Sequence, residues 1–288
     1  MNLSAEVLVG NALDALKNLP DDSVQTVVTS PPYWGLRDYG DDEQLGLEKS
    51  PLDFIENLCK VFDEVWRVLK DDGTLWVNLG DSYYNKSLAG IPFRFAFAMQ
   101  ERGWFLRQDI IWHKPNVMPE SVTDRCTKSH EYIFLLTKNA KYYYDNKAIL
   151  EPVSEISLKR SEYGWDSDRP STKNASMGGT GIHTDQMGTR FVNPEGRNKR
   201  SVWTVTAKGY KEAHFAVYPP DLIEPCILAG SKEGDTVLDP FSGSGTTGEV
   251  ALKHNRNYIG LELNPEYAEI SRKRLLKVVG MFGEVIVK

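Results

Sequence analysis

Cysteine is scarce in this sequence: Cys59, Cys126 and Cys226 are the only three in 288 residues. An odd, widely spaced set excludes a disulfide framework and supplies no CxxC metal pair, so reduced, structural thiols are expected. Long apolar runs are missing too, none approaching the roughly 18 residues of a membrane span. The opening MNLSAEVLVG lacks the basic-then-apolar order of a signal peptide. A soluble, cytoplasmic protein is the expectation. Nor is there an excess of positive charge, and the net of −6 argues at first against nucleic acid as a partner.

What the chain does have is core material, 41% hydrophobic residues, enough for one large domain or one domain with an insertion. The average charge also hides an asymmetry. Residues 156–211 hold ten Lys and Arg against five Asp and Glu, whereas residues 1–100 hold eight against sixteen. The basic stretch includes STKNASMGGTGIHTDQMGTRFVNPEGRNKRS, rich in Gly, Ser, Thr and Asn and without an apolar period, so it reads as surface loops. Composition alone leaves it either a solvated insertion or a contact surface.

Short runs at 6–10, 24–30, 73–80, 107–114, 131–138, 235–240 and 256–263 read as strands, several of them almost wholly apolar as strands buried on both faces are. Between them, residues 51–70, 91–103, 219–230, 245–255 and 264–280 carry helical spacing. Strand and helix in alternation predict an open, mostly parallel, doubly wound α/β sheet, whose ligands sit at the carboxyl ends of the strands.

Two strand ends carry chemistry. In VLDPFSGSGTTGEVAL (237–252) a strand runs into Asp239, and Gly243 and Gly245 permit a tight turn before a helix. A glycine loop alone is weak, but a second strand ends at Glu262, where nucleoside-binding folds place an acid on ribose hydroxyls. The loop has no GKT/S lysine, and Asp239 would repel a pyrophosphate. An adenosine carrying a cation fits better: S-adenosylmethionine, its α-ammonium on Asp239 and its ribose on Glu262. The other strand end is TVVTSPPYW (26–34). Pro31 and Pro32 fix φ and remove two donors, so the Ser30 hydroxyl and the Pro31 carbonyl make a rigid acceptor pair for a planar amine, with Tyr33 stacking on its ring. A Pro-rich strand stop packed by aromatics is the other reading of the same residues.

TSPPYW followed far downstream by VLDPFSGSGTT resembles the amino-methyltransferases of DNA, in the circularly permuted class whose catalytic motif precedes its cofactor motif. Nearly the whole chain shares the likeness, through GNALDALKNLPDDSVQTVVTSPPYW, VWRVLKDDGTLWVNLGDSY, RGWFLRQDIIWHKPNVMPES, RCTKSHEYIFLLTK and the block leading into the glycine loop. The resemblance implies a Rossmann-like methyltransferase fold with a catalytic half (1–150), a target-recognition insertion (151–212) and a cofactor half (213–288). It implies methyl transfer from S-adenosylmethionine to the exocyclic amine of a flipped-out base, with Ser30, Pro31, Pro32 and Tyr33 as the catalytic set. Asp239, Pro240, Phe241, Ser242, Gly243, Ser244, Gly245, Thr246, Thr247 and Glu262 are the implied cofactor loop and ribose acid. Asn11 stands where relatives carry an aspartate that meets adenine. His214, Phe215 and Pro219 are implied near the methionine end.

Double-stranded DNA is the implied partner, with Arg190, Arg197, Lys199 and Arg200 of the basic stretch and Lys114 on phosphate; a solvated Lys114 is equally open. No metal or membrane is called for, and a homodimer remains open. Relatives with serine before the prolines mostly modify cytosine N4, which favours that atom over adenine N6. Restriction-modification or other DNA protection is the implied setting. A nicotinamide oxidoreductase would leave the double proline unexplained, and a non-enzymatic DNA-binding module would leave both strand-end motifs unexplained. Trp34 is either a second aromatic wall or core. Cys226, although preceded by proline as in ring-carbon cytosine methyltransferases, lies in an apolar helix and reads as core.

Overall fold

The β-branched run VQTVVT forms strand β2 (Val24–Thr29), buried at all six positions. Burial on both faces is what a central parallel strand needs, and Val, Thr and Gln side chains fill it without helix-forming spacing. The computed structural model describes residues 3–36, 38, 40, 43–154, 193, 195–207, 218–280 and 284–288. They fall into two units, residues 1–148 with 200–288, and residues 149–199.

The first unit is built on a nine-stranded sheet. Its strands are β1 (Ser4–Val9), β2, β3 (Leu69–Leu79), β6 (Phe105–His113), β7 (His130–Thr137), β8 (Val202–Thr204), β9 (Thr236–Asp239), β10 (Asn257–Glu262) and β11 (Glu284–Val287), in the spatial order β11-β1-β10-β9-β2-β3-β7-β6-β8. From β11 to β3 all pairings are parallel; β7 then runs antiparallel to both β3 and β6, and β8 is parallel to β6. A hairpin of β4 (Tyr83–Tyr84) and β5 (Ser87–Leu88) stands apart.

The helices are α1 (Ala12–Lys17), α2 (Pro51–Val68), α3 (Ile91–Glu101), α4 (Pro220–Gly230), α5 (Thr246–Lys253) and α6 (Pro265–Val279). The Ser50 hydroxyl caps α2 by accepting from the Asp53 amide at 3.2 Å, and Pro51 opens the first turn. One stripe of α2, including Phe54, Leu58, Phe62 and Val65, is fully buried. Each such side chain contributes roughly 1.5–3 kcal/mol of burial, which anchors the helix against the sheet. The expected α/β architecture and mostly parallel sheet are therefore present. Four short strands, β4, β5, β8 and β11, and the two-turn α1 were not foreseen, being too brief for a periodic signal. Val202–Thr204 lies inside the segment expected as the insertion and forms the sheet's β8 edge.

Sheet order brings the two sequence motifs together. β2 and β9 are adjacent parallel strands, registered Thr26 to Val237 and Val27 to Leu238. Their carboxyl ends, Ser30 and Asp239–Pro240, lie side by side although about 210 residues apart in the chain.

Candidate active site

A cavity of about 1100 Å³ opens at the carboxyl ends of β1, β2, β3, β9 and β10. That exceeds the usual volume of a single small-ligand pocket, so it has room for two bound groups. Asn11, Ser30, Pro31, Pro32, Tyr33, Pro240, Phe241, Ser242, Gly243, Ser244, Thr246 and Glu262 all line it.

On one wall stands the double-proline strand end. The Tyr33 hydroxyl donates to Glu131 Oε2 at 2.7 Å and lies 3.3 Å from Asn78 Oδ1. Asn78 Nδ2 donates to the same Glu131 oxygen at 3.2 Å and to the Tyr132 carbonyl at 3.1 Å. Ser30 Oγ reaches Asn78 Oδ1 at 3.5 Å, a long contact of the kind that tightens when substrate binds. Burial, and then the Glu131 carboxylate, hold the Tyr33 phenol well above its ordinary pKa, so it stays a proton donor. Gly80 explains the ring's position: a Cβ there would come within 2.5 Å of Tyr33 Cε2. The ring lies on bare backbone.

Opposite is the glycine loop. Glu262 accepts from the Gly243 amide at 2.7 Å and from the Asn264 amide at 2.9 Å, and burial raises its pKa. Gly243 has φ 51°, and a Cβ there would meet nothing within 4 Å, so the backbone faces open space. Gly245 differs: its Cβ would collide with Ser271, which makes it a packing glycine. The loop is also held from behind. Tyr258 donates to Ser242 Oγ at 2.8 Å, and Arg274 donates to Thr246 Oγ1 at 2.8 Å and Ser244 Oγ at 3.2 Å.

Asp239 does not line the cavity and is only 1% exposed. Its Oδ1 accepts from Thr29 Oγ1 at 2.6 Å and the Phe241 amide at 3.0 Å; its Oδ2 accepts from Thr247 Oγ1 at 2.6 Å and the Tyr218 hydroxyl at 3.0 Å. With four protein donors it is a joint between the two strand ends, which replaces the direct ammonium contact expected of it. Thr247 shares that joint, lying also 3.2 Å from the Val28 carbonyl, and likewise stays out of the cavity. Pro219 caps α4 without lining the cavity, while its neighbour Tyr218 does line it. His214, Phe215 and Arg190 lie outside the described residues.

Lys114 lies on the crevice side, lining the cavity with its ammonium on Glu131 Oε1 and 4.1 Å from the Trp112 ring centre. Arg197 pairs with Glu151 at 3.2 Å in the second unit, to which Lys199 belongs as well; Arg200 opens the last stretch of the first unit. Trp34 is core, 6% exposed, with Nε1 donating to the Glu48 carbonyl at 2.9 Å. Cys226 is fully buried in α4, as the apolar helix suggested.

The cavity wall suits an uncharged nucleoside with a cationic arm. Among its described lining residues are the acids Glu43, Glu131, Glu262 and Glu266 against the lysines Lys60 and Lys114, the latter already paired. No lysine or arginine belongs to the glycine loop, so a polyphosphate would go unmatched. Fold and cleft together are those of an S-adenosylmethionine-dependent methyltransferase. The profile of the N6/N4 family, described as DNA methylase, matches residues 24–273, and the chain belongs to that family.

Its relatives agree. The Type II methyltransferase M.Cfr9I of Citrobacter freundii is 46% identical, with 94% of this chain and 87% of that protein covered. M.SmaI of Serratia marcescens is 41% identical over 95% and 91%. Among solved structures, a putative DNA modification methylase of Thermus thermophilus, complexed with S-adenosyl-L-methionine, superposes with TM-score 0.65 at 25% identity over 98% of this chain and 99% of that one. The cytosine-N4-specific PvuII DNA methyltransferase shares the fold with TM-score 0.70 at 20% identity, covering 100% and 96%.

Proposed function

We propose that this DNA methyltransferase modifies the exocyclic N4 of cytosine in a base flipped out of duplex DNA, as the modification enzyme of a restriction-modification system. The observation that carries the reading is the meeting of Ser30, Pro31 and Tyr33 with the glycine loop at Gly243 and with Glu262 in one cavity. The same two blocks support the permuted order, catalytic motif first.

S-adenosylmethionine supplies a methyl group on a cationic sulfur, open to attack by the amine lone pair. Glu262 offers its carboxylate to the ribose hydroxyls, Phe241 an apolar face, and Asn11 a polar edge for the adenine. Ser30 Oγ and the Pro31 carbonyl accept the two amine hydrogens, which turns the nitrogen lone pair toward the donor. Tyr33 holds the base ring, a contact worth roughly 1–3 kcal/mol. A neutral serine ahead of the prolines supports cytosine over adenine by resemblance to N4 enzymes. Arg197, Lys199 and Arg200 remain phosphate contacts in this proposal, with Arg197 sharing its charge with Glu151.

Ligand identity tests it. S-adenosylmethionine and its demethylated product are expected to raise the melting temperature, NAD to leave it unchanged, and duplex DNA to accept methyl groups where RNA and free nucleotides do not. Stabilisation by NAD, or transfer to RNA alone, would contradict the proposal.

A further inference from the structure

We infer that Glu131 is a positioning residue of methyl transfer: through Asn78 it sets which way the Ser30 hydroxyl points, leaving the Ser30 lone pairs toward the substrate amine. The inference rests on Ser30 as the amine's acceptor, the role proposed above.

The direction of the hydrogen bonds carries it. Lys114 has only donors and Glu131, as a carboxylate, only acceptors, so the pair between them has one polarity. Tyr33 has a single hydroxyl proton, and at 2.7 Å against 3.3 Å it goes to Glu131 and not to Asn78. Asn78 is 3% exposed, and its Nδ2 faces two acceptors, Glu131 Oε2 at 3.2 Å and the Tyr132 carbonyl at 3.1 Å. The amide cannot flip without setting its oxygen against both. Asn78 Oδ1 therefore faces Ser30, and the 3.5 Å contact can form only with Ser30 as donor. A serine whose proton is taken has lone pairs to offer.

Glutamine at position 131 keeps the shape and reverses the polarity. Lys114 draws the new amide oxygen, the amide nitrogen turns to Tyr33 and Asn78, Asn78 is pushed to flip, and Ser30 must then accept from it. Aspartate is shorter but keeps the acceptor-only character.

The test is single-turnover transfer to duplex DNA, with cofactor and DNA affinities measured separately on the same variants. Glu131→Gln is expected to slow transfer about a hundredfold, with both affinities within about twofold of wild type. Glu131→Asp is expected to be the faster of the two, and Asn78→Leu to fall as far as Glu131→Gln. The double variant Glu131→Gln with Asn78→Leu should be no slower than the slower single. A merely structural role predicts the opposite order, glutamine being the better fit to the space. Gln faster than Asp, multiplicative losses in the double variant, or a wild-type rate in Asn78→Leu would each overturn the inference. If Glu131→Gln fails to unfold cooperatively, Asn78→Leu alone decides. Ser30→Ala separates the two layers: a wild-type rate there removes the proposed role of Ser30, whereas a slow Ser30→Ala beside a wild-type Glu131→Gln removes only the role of Glu131.

Discussion

Asp239 commits both carboxylate oxygens to the protein, and what it joins is instructive: Thr29, the residue before Ser30, on one side and Tyr218 and Thr247 on the other. Burial raises its pKa, and the four donors around it hold that shift in check. Removing the side chain leaves the Thr29 hydroxyl and the Phe241 amide without their acceptor, and leaves Tyr218 and Thr247 only each other and the Val28 carbonyl. Asp239→Ala is therefore expected to lower the free energy of unfolding by about 3 kcal/mol or more in urea titrations, with Asp239→Asn losing less. Gly243 behaves in the other way. Its backbone faces open space at φ 51° and donates to Glu262, so Gly243→Asp sets a second carboxylate beside the ribose acid. Calorimetry should show cofactor affinity down at least tenfold, with stability changed by only about 1–2 kcal/mol from the left-handed backbone. Equal affinity would move the ligand away from this loop.

At the scale of elements, strand direction decided what the sequence could disclose. Buried strands and amphipathic helices announce themselves by period, and β2, β9 and β10 led directly to Ser30, Asp239 and Glu262 at their carboxyl ends. Glu131 escaped because it sits near the beginning of β7, which runs antiparallel to β3 and so delivers its amino end to the cavity. Period says nothing about direction. Asn78 escaped because one polar residue in the apolar run TLWVNL looks like an interruption until its neighbours are known. Tyr258 and Arg274 were hidden for a related reason, since a residue bracing a loop from behind has no spacing relative to it. Arg274, on α6, pairs with Glu249 on α5 while donating to Ser244 and Thr246, and it is 8% exposed. Arg274→Met is expected to cost about 2 kcal/mol of stability, because it leaves the Glu249 carboxylate to Lys253 alone and takes a charged donor from two loop hydroxyls. A melting temperature equal to wild type would show that α6 does not brace the loop.

Over the whole molecule, three buried phenols respond to pH together. Tyr33, Tyr218 and Tyr258 are held well above the ordinary tyrosine pKa, in each case first by burial and then by a neighbouring carboxylate, Glu131 for the first and Asp239 for the other two. A phenol with a raised folded-state pKa binds its proton more tightly in the native protein than in the unfolded chain. Its contribution is complete below the unfolded value near 10 and is lost as pH rises from there toward the folded value. Absorbance at alkaline pH should show these three among the 13 tyrosines ionising only with unfolding. Three more freely titrating tyrosines in the native protein would contradict the packing at both walls of the cavity. Whether this cavity methylates an exocyclic amine of DNA is decided most directly by the identity of the product. Duplex DNA of mixed sequence is incubated with the protein and S-adenosylmethionine labelled in its methyl group, digested to nucleosides and resolved by mass spectrometry. Label in N4-methylcytosine, abolished by Ser30→Ala, is the predicted result; label in N6-methyladenine would overturn the choice of base, and label in 5-methylcytosine, or none at all, would contradict amine methylation itself.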